Sequence, residues 1–157
     1  MSEAKEKLLQ LEKEGKYLFH GSPAKDIKEL EPRQAHTIPR GEKDMVKDGE
    51  PGVAATPYSE IAIFRAIVTK GRSSFSVSGF SLEDKVIEFK ANKKALELAK
   101  GKFGYVYVLN RNSFTRKSGF NKHAMEWRSV KPIKPVRVFT VNYEDLPKNI
   151  TIIEYSN

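Results

Sequence analysis

The sequence predicts an α+β fold with mainly antiparallel sheets. About six or seven short runs have strand character against two or three helical stretches, and the helices are not regularly interleaved with the strands, which disfavours a doubly wound parallel sheet. The length, 157 residues, suffices for one core and falls short of two ordinary ones. A single domain over residues 1–157 is therefore expected, with residues 1–16 as a helical lead-in. Hydrophobic residues make up 39% of the chain and 16 residues are aromatic, a mix too apolar for disorder. No internal repeat or low-complexity tract interrupts the reading.

Taken in order, Ser2 to Glu14 reads as an amphipathic helix with Ser2 at the N-cap and Gly15 at the stop position. Tyr17-Leu18-Phe19-His20 is an apolar run broken by Gly21-Ser22-Pro23, which fits a buried strand ending in a tight turn. Ile27 to Leu30 is a second short extended piece. Gln34 to Gly52 is rich in Gly and Pro and lacks periodic apolar residues, so it is expected as a loop over a site. Val53 to Ala55 resumes a buried strand, Pro57 stops it, and Ser59 is placed to cap a helix carrying Ile61, Ala62, Phe64, Ala66 and Ile67. Strands are expected over Ser74 to Ser81 and Lys85 to Lys90, then a short helix from Asn92 to Lys100 ended by Gly101. Phe103 to Leu109 is strongly strand-like. Val130 to Val141 is interrupted by Pro132 and Pro135, so it should begin as an edge or bulged strand and become regular. Ile150 to Tyr155 closes the chain as a last strand.

The charge is unevenly placed. Lys102 to Arg137 holds nine basic residues against one acid, Glu126, which accounts for the whole net charge of +8. Such a segment suits phosphates, in a nucleotide, a nucleic acid or an acidic protein surface, or simply forms a solvated face. Absence of cysteine excludes disulfides, thiol nucleophiles and cysteine metal sites. The three histidines, His20, His36 and His123, lack the spacing that sets two on one helical face, so no metal centre is expected. A phosphate-binding glycine loop, a nucleophile elbow and a calcium loop are likewise missing from the sequence. No apolar run approaches the roughly 18 residues of a membrane span, and the N-terminus alternates charges. A soluble, cytoplasmic, monomeric protein without membrane association is expected.

His20 ends a strand and is followed by Gly21 and Ser22, so a ligand would meet exposed backbone beside an imidazole and a hydroxyl. Two later stretches, Gly52-Val53-Ala54-Ala55-Thr56-Pro57-Tyr58-Ser59-Glu60-Ile61-Ala62-Ile63-Phe64 and Met125-Glu126-Trp127-Arg128-Ser129-Val130-Lys131-Pro132, complete a three-part pattern. Over roughly Tyr17 to Val141 the chain resembles the ADP-ribosyltransferase superfamily, in its diphtheria-toxin and poly(ADP-ribose) polymerase branch. The family order is a His-Gly-Ser/Thr strand end, a strand leading into a helix with an aromatic, and a glutamate at the start of a late strand.

The resemblance implies two packed, mainly antiparallel β-sheets with flanking short helices, and NAD as substrate. It implies that His20 bonds a ribose hydroxyl, that the Gly21 backbone grips the nicotinamide carboxamide, and that Ser22 supports that corner. Phe64 or Tyr58 would stack on nicotinamide. Glu126 would stabilise the positive charge that grows on the ribose as the glycosidic bond breaks. Arg33 is a candidate for the pyrophosphate. The acceptor would be a protein or a nucleic acid. Two departures stand out: Ala54 occupies the strand position where the family places a large residue, and Ser59 comes early for the helix serine that binds the carboxamide.

Each candidate also has a plain structural reading. His20 satisfies a neighbouring carbonyl, Tyr58 packs on a turn, Phe64 packs in a helix core, and Glu126 pairs with Arg128 or Lys122, while Trp127 packs beside it. Two other functions compete. A related NAD-using RNA 2′-phosphotransferase would rely on basic and histidine residues, and a non-catalytic basic domain would bind nucleic acid through charge alone.

Overall fold

The computed structural model describes residues 2–34, 36–37, 44, 46–47, 51–69, 76–81, 86–116 and 126–154. Helix α1 (Glu3–Glu14) starts where Ser2 accepts a bond from the Lys5 amide and stops at Gly15, whose φ of +72° is left-handed. This lead-in is docked at both ends. The Ser2 hydroxyl donates to Asp145, and Lys5 Nζ reaches the Leu146 carbonyl at 3.5 Å.

Strand β1 (Tyr17–Ser22) begins the central sheet, joined across the chain by β7 (Phe103–Asn110) and β10 (Arg137–Asn142) in the antiparallel order β1-β7-β10. The intervening segments form β2 (His36–Thr37), β3 (Val46–Lys47) and β4 (Val53–Ala55), then α2 (Ser59–Ile67). Next come β5 (Ser76–Ser81), β6 (Val86–Asn92) and α3 (Lys93–Ala99), the last capped by the Asn92 side chain. β8 (Thr115–Arg116) and β9 (Trp127–Ser129) pair with β4 in the order β4-β9-β8. β11 (Ile150–Ile153) closes a third sheet, β11-β6-β5, and its pairing with β6 is parallel.

The architecture is thus α+β, with three α-helices among the described residues and small, mainly antiparallel sheets. In place of two sheets, the described residues form three three-stranded sheets and the β2-β3 pair. The division arises because β1 and β4 share a single bridge, Phe19 with Thr56, before they part. Other expectations shift for local reasons. Ile27 to Leu30 forms no strand and is held by a Leu30–Ile133 bridge. Pro132 and Pro135 delay the regular strand to Arg137, while β9 forms earlier, at Trp127. Most of Gln34 to Gly52 lies outside the described residues.

Ser59 is the first residue of α2 and not its cap. Tyr58 holds that position without a side-chain bond, and Glu12 of α1 supplies the missing acceptor: Oε1 takes the Ser59 amide at 2.6 Å and its hydroxyl at 2.8 Å. The carboxylate also faces the positive end of the helix.

The central sheet carries cores on both faces. On one, α2 lays Ile61, Ala62, Phe64 and Ala66 against Phe19, Val106, Val108 and Phe139. On the other, Leu18, Tyr107 and Leu109 meet Val53 and Ala55 of the β4 sheet, with Leu30 and Ile133. The α2 contact is so close that only glycine fits opposite it. A Cβ at Gly21 would stand 1.8 Å from the Ala62 carbonyl oxygen, and one at Gly104 would stand 2.5 Å from that of Ala66. Both obstacles are backbone, so neither swings aside.

Gly21→Ala should therefore cost on the order of 3 kcal/mol, more than Gly15→Ala, whose penalty of about 1–2 kcal/mol is that of a left-handed backbone alone in open space. Urea unfolding midpoints measure the order; equal losses would contradict the packing account.

Candidate active site

The single Phe19–Thr56 bridge makes a fork. Phe19 and Thr56 exchange both backbone bonds, at 2.8 and 2.9 Å, and from there β1 and β4 separate. Alternation along an antiparallel strand turns the Gly21 N–H and C=O to the same edge as those of Phe19, away from β7 and toward the opening. The His20 imidazole spans the gap, its Nδ1 lying 2.7 Å from the Ala54 carbonyl oxygen. A carbonyl only accepts, so Nδ1 carries the proton and Nε2 is left as an acceptor.

A cleft of about 330 Å³ opens beside this fork, bounded by His20, Ser22, Ala54, Arg33 and Gly52, with Glu29 and Glu31 on the loop side. That loop is pinned from beneath: the Tyr107 hydroxyl donates to the Ala24 carbonyl at 2.6 Å and accepts from the Ile27 amide at 3.2 Å. Ser22 Oγ accepts from the Ala24 amide and so shapes its own turn. Arg33 and Gly52 exchange backbone bonds at 3.2 and 2.9 Å, which fixes the far wall.

Glu126 stands immediately before β9. The β4–β9 register pairs Ala54 with Arg128 and Ala55 with Trp127, so one further step sets Glu126 opposite Thr56, the apex of the fork. It is 7% exposed. Its Oε2 accepts from Arg128 Nε at 3.2 Å, and its Oε1 lies 3.6 Å from Arg65 Nη1. Arg65 in turn donates through Nε to Ser78 Oγ of β5 at 3.1 Å. Burial pushes the Arg65 guanidinium below its ordinary pKa, and the Glu126 charge works against that shift.

His20 is also shifted. Burial lowers its pKa below 6.5, the Ala54 bond opposes this, the Arg65 and Arg33 charges reinforce it, and Glu126 opposes it. The imidazole is held neutral at physiological pH, in the tautomer that exposes an acceptor.

Comparison with protein-family models, with curated proteins and with solved structures finds no match to this chain. The site's chemistry therefore rests on its own residues. Three stretches far apart in sequence, ending at His20-Gly21-Ser22, at Ala54 and at Glu126, meet around one fork with Arg33 at its rim.

The two aromatic candidates do not join them. Phe64 is 1% exposed, with its ring 5.2 Å from that of Phe89, because its side of α2 faces β6. Tyr58 packs on the α2 core and lines a separate cavity with Glu12 and Glu60. Neither lines the His20 cleft. Trp127 packs as expected, under the Arg111 guanidinium at 5.0 Å. Lys122, the other suggested partner of Glu126, lies outside the described residues.

Arg65 was not foreseen. It is the one charge within Ile61 to Ile67, and a lone cation inside an apolar helix is the signal that marks it.

Because the folded pKa of His20 is lowered, the unfolded chain binds the proton more readily between that value and about 6.5. Stability is then complete above about pH 6.5 and falls as the pH drops toward the lowered value. His20→Gln should flatten this fall, read as unfolding midpoints from pH 7.5 to 5; identical profiles in both proteins would contradict a buried neutral imidazole.

Proposed function

We propose that the chain is an ADP-ribosyltransferase that cleaves NAD at the nicotinamide–ribose bond and transfers ADP-ribose to an acceptor. The observation that carries this reading is the fork: the outward backbone of Gly21 and the His20 imidazole stand at its opening, Ala54 is bonded across it, and the Glu126 carboxylate is buried at its apex opposite Thr56, from three dispersed segments. A peptide N–H and C=O side by side match the C=O and NH₂ of a carboxamide. Nε2 of the neutral His20 accepts from a ribose hydroxyl. Arg33 at the rim meets the diphosphate.

In the reaction, the C1′–N1 bond breaks with its electron pair going to the pyridinium nitrogen, which leaves as neutral nicotinamide. The ribosyl carbon becomes cationic, and the acceptor atom then bonds to it and loses a proton. Glu126 stabilises the transient positive charge. Arg65 and Arg128 hold the carboxylate at the apex, a positioning role that also keeps the buried charge compensated. With Phe64 and Tyr58 elsewhere, nicotinamide is gripped by backbone and charge.

One observation favours a second reading, the RNA 2′-phosphotransferase. Arg33 lines the His20 cleft, and the Arg65 charge, held beside Glu126, also acts on His20. Such a site suits a phosphate on RNA as well as a diphosphate.

Purified protein given NAD labelled in the nicotinamide ring should release nicotinamide. Glu126→Gln should lower the rate by about 10²-fold or more. Since Gln leaves two guanidiniums uncompensated, Glu126→Asp, which keeps the charge and withdraws it by one methylene, should show a loss of the same order in a stably folded protein. Undiminished release in both variants would overturn the assignment. Removal of a 2′-phosphate from RNA, dependent on NAD, would move it to the second reading.

A further inference from the structure

The central sheet ends on β10, and the direction of its free backbone groups follows from the ladder. Phe19 exchanges its bonds with Thr56, so Leu18, His20 and Ser22 bond β7, and the β7 residues that remain, Gly104, Val106 and Val108, turn to β10. Their partners there are Val141, Phe139 and Arg137. Val138 and Thr140 therefore present their N–H and C=O groups outward, and neither has a backbone partner on that side among the described residues. At its flanks the edge closes on itself. The Val136 amide donates to the Val108 carbonyl at 2.8 Å, and the Asn142 amide donates to Asp145 at 3.0 Å.

The side chains leave that edge open. Val136 is 48% exposed and Val138 52% exposed, and Thr140 is exposed as well. Phe139 and Val141 point to the opposite face, into the core shared with α1 and α2. A free edge is ordinarily guarded by a proline, a bulge or a charge standing on the strand. Here Pro135 comes before the strand begins, and the Arg137 guanidinium is folded over the Phe139 ring, 4.6 Å from its centroid. Val138 to Val141 contains neither a proline nor a charge.

Charge identifies the partner. Lys134 and Arg137, both exposed, stand at the start of the strand, and exposed Glu144 stands just past its end. Among the described residues neither Lys134 nor Glu144 has an ion-pair partner. The other charges at the far end are engaged or set apart. Asp145 is buried against the Ser2 hydroxyl, Glu3 pairs with Lys7, and Lys5 reaches the Leu146 carbonyl. Lys102 precedes β7, one strand in from the edge, and Lys148 belongs to the connection to β11. An edge that is basic at its start and acidic past its end complements itself when turned antiparallel. A second copy meets both needs in one register: Val138 exchanges its bonds with the partner's Thr140, Thr140 with the partner's Val138, and Lys134 comes opposite the partner's Glu144.

We propose that the edge of β10 is a docking surface for a second copy of this chain, joining the two central sheets antiparallel about Phe139 into one continuous sheet. The monomer expected from sequence then gives way to a weak, symmetric dimer. The contact does not depend on the NAD reaction, since the fork opens on the opposite edge of the sheet, beyond β1.

Sedimentation of the full chain over a dilution series up to about 200 μM should show a monomer–dimer equilibrium with a micromolar Kd. Thr140→Pro removes an outward N–H while the bonds to β7 stay, and should weaken the dimer by at least about tenfold. Val138→Lys, which sets a charge on the edge and leaves the ladder alone, should act in the same direction in a protein of unchanged circular dichroism. Glu144→Lys should weaken the dimer by about fivefold, and Lys134→Glu in the same chain should restore it. A monomer at every concentration, or a dimer that Thr140→Pro and Val138→Lys both leave intact, overturns the contact. Loss of the dimer on Ile152→Lys alone would place it on the edge of β11 and overturn it equally. Failure of the double charge reversal to restore association overturns the antiparallel register.

Discussion

The parting of β1 from β4 is the constraint on which the rest of the site depends. Had the two strands continued their pairing past Phe19 and Thr56, the Gly21 backbone would be consumed by a ladder and no crevice would exist. The imidazole of His20 takes the place of the next rung, holding the Ala54 carbonyl with a side chain where a peptide group would otherwise stand. Helix α2 braces the other side. With Gly21 and Gly104 pressed against the carbonyls of Ala62 and Ala66, β1 has no freedom to swing back and close the fork. The helix is itself anchored, since its buried N-terminal amide, at Ser59, donates to Glu12 from α1. Core packing, capping and site geometry are in this way one connected structure.

Charge is arranged around that opening in a fixed order. Glu126 is buried at the apex with Arg128 from its own strand and Arg65 from α2. A buried ion pair adds little stability by itself, but it sets the position of a carboxylate that the chain could otherwise leave in water. Arg65 extends the connection to Ser78 of β5, so the third sheet also bears on where the acid sits. Meanwhile His20 stays neutral because burial and two nearby guanidiniums disfavour a second proton. An anionic apex, a neutral acceptor and a cationic rim are the polarity that a ribose between a departing base and a diphosphate calls for.

Local features of the chain were legible from sequence. Ser2 and Gly15 marked both ends of α1 because capping depends only on neighbours within one turn. The strand Tyr17 to His20 and the run Phe103 to Leu109 were clear from their unbroken apolar pattern. Long-range contacts were not legible. Ser59 looks like a cap because its type is right, yet the acceptor comes from Glu12, 47 residues away. Phe64 looks like a ligand-binding ring because an aromatic follows the strand, but the direction it faces depends on how α2 turns over the sheet, and that places it against Phe89. For His20 and Glu126 the plain readings, a carbonyl partner and an ion pair with Arg128, describe real contacts. Those contacts are the means by which the two groups are held at the fork, so the structural and functional readings do not exclude one another.

The central claim is that the Gly21 backbone and the His20 ring form one end of a dinucleotide cleft. Titration of the ¹⁵N-labelled protein with NAD tests it most directly, through the Gly21 amide and His20 imidazole resonances. The account requires saturable shifts at both, with Ser22 and Arg33 moving alongside. Unmoved Gly21 and His20 signals at saturating NAD, or shifts confined to the separate cavity beside Tyr58 and Glu12, would contradict it.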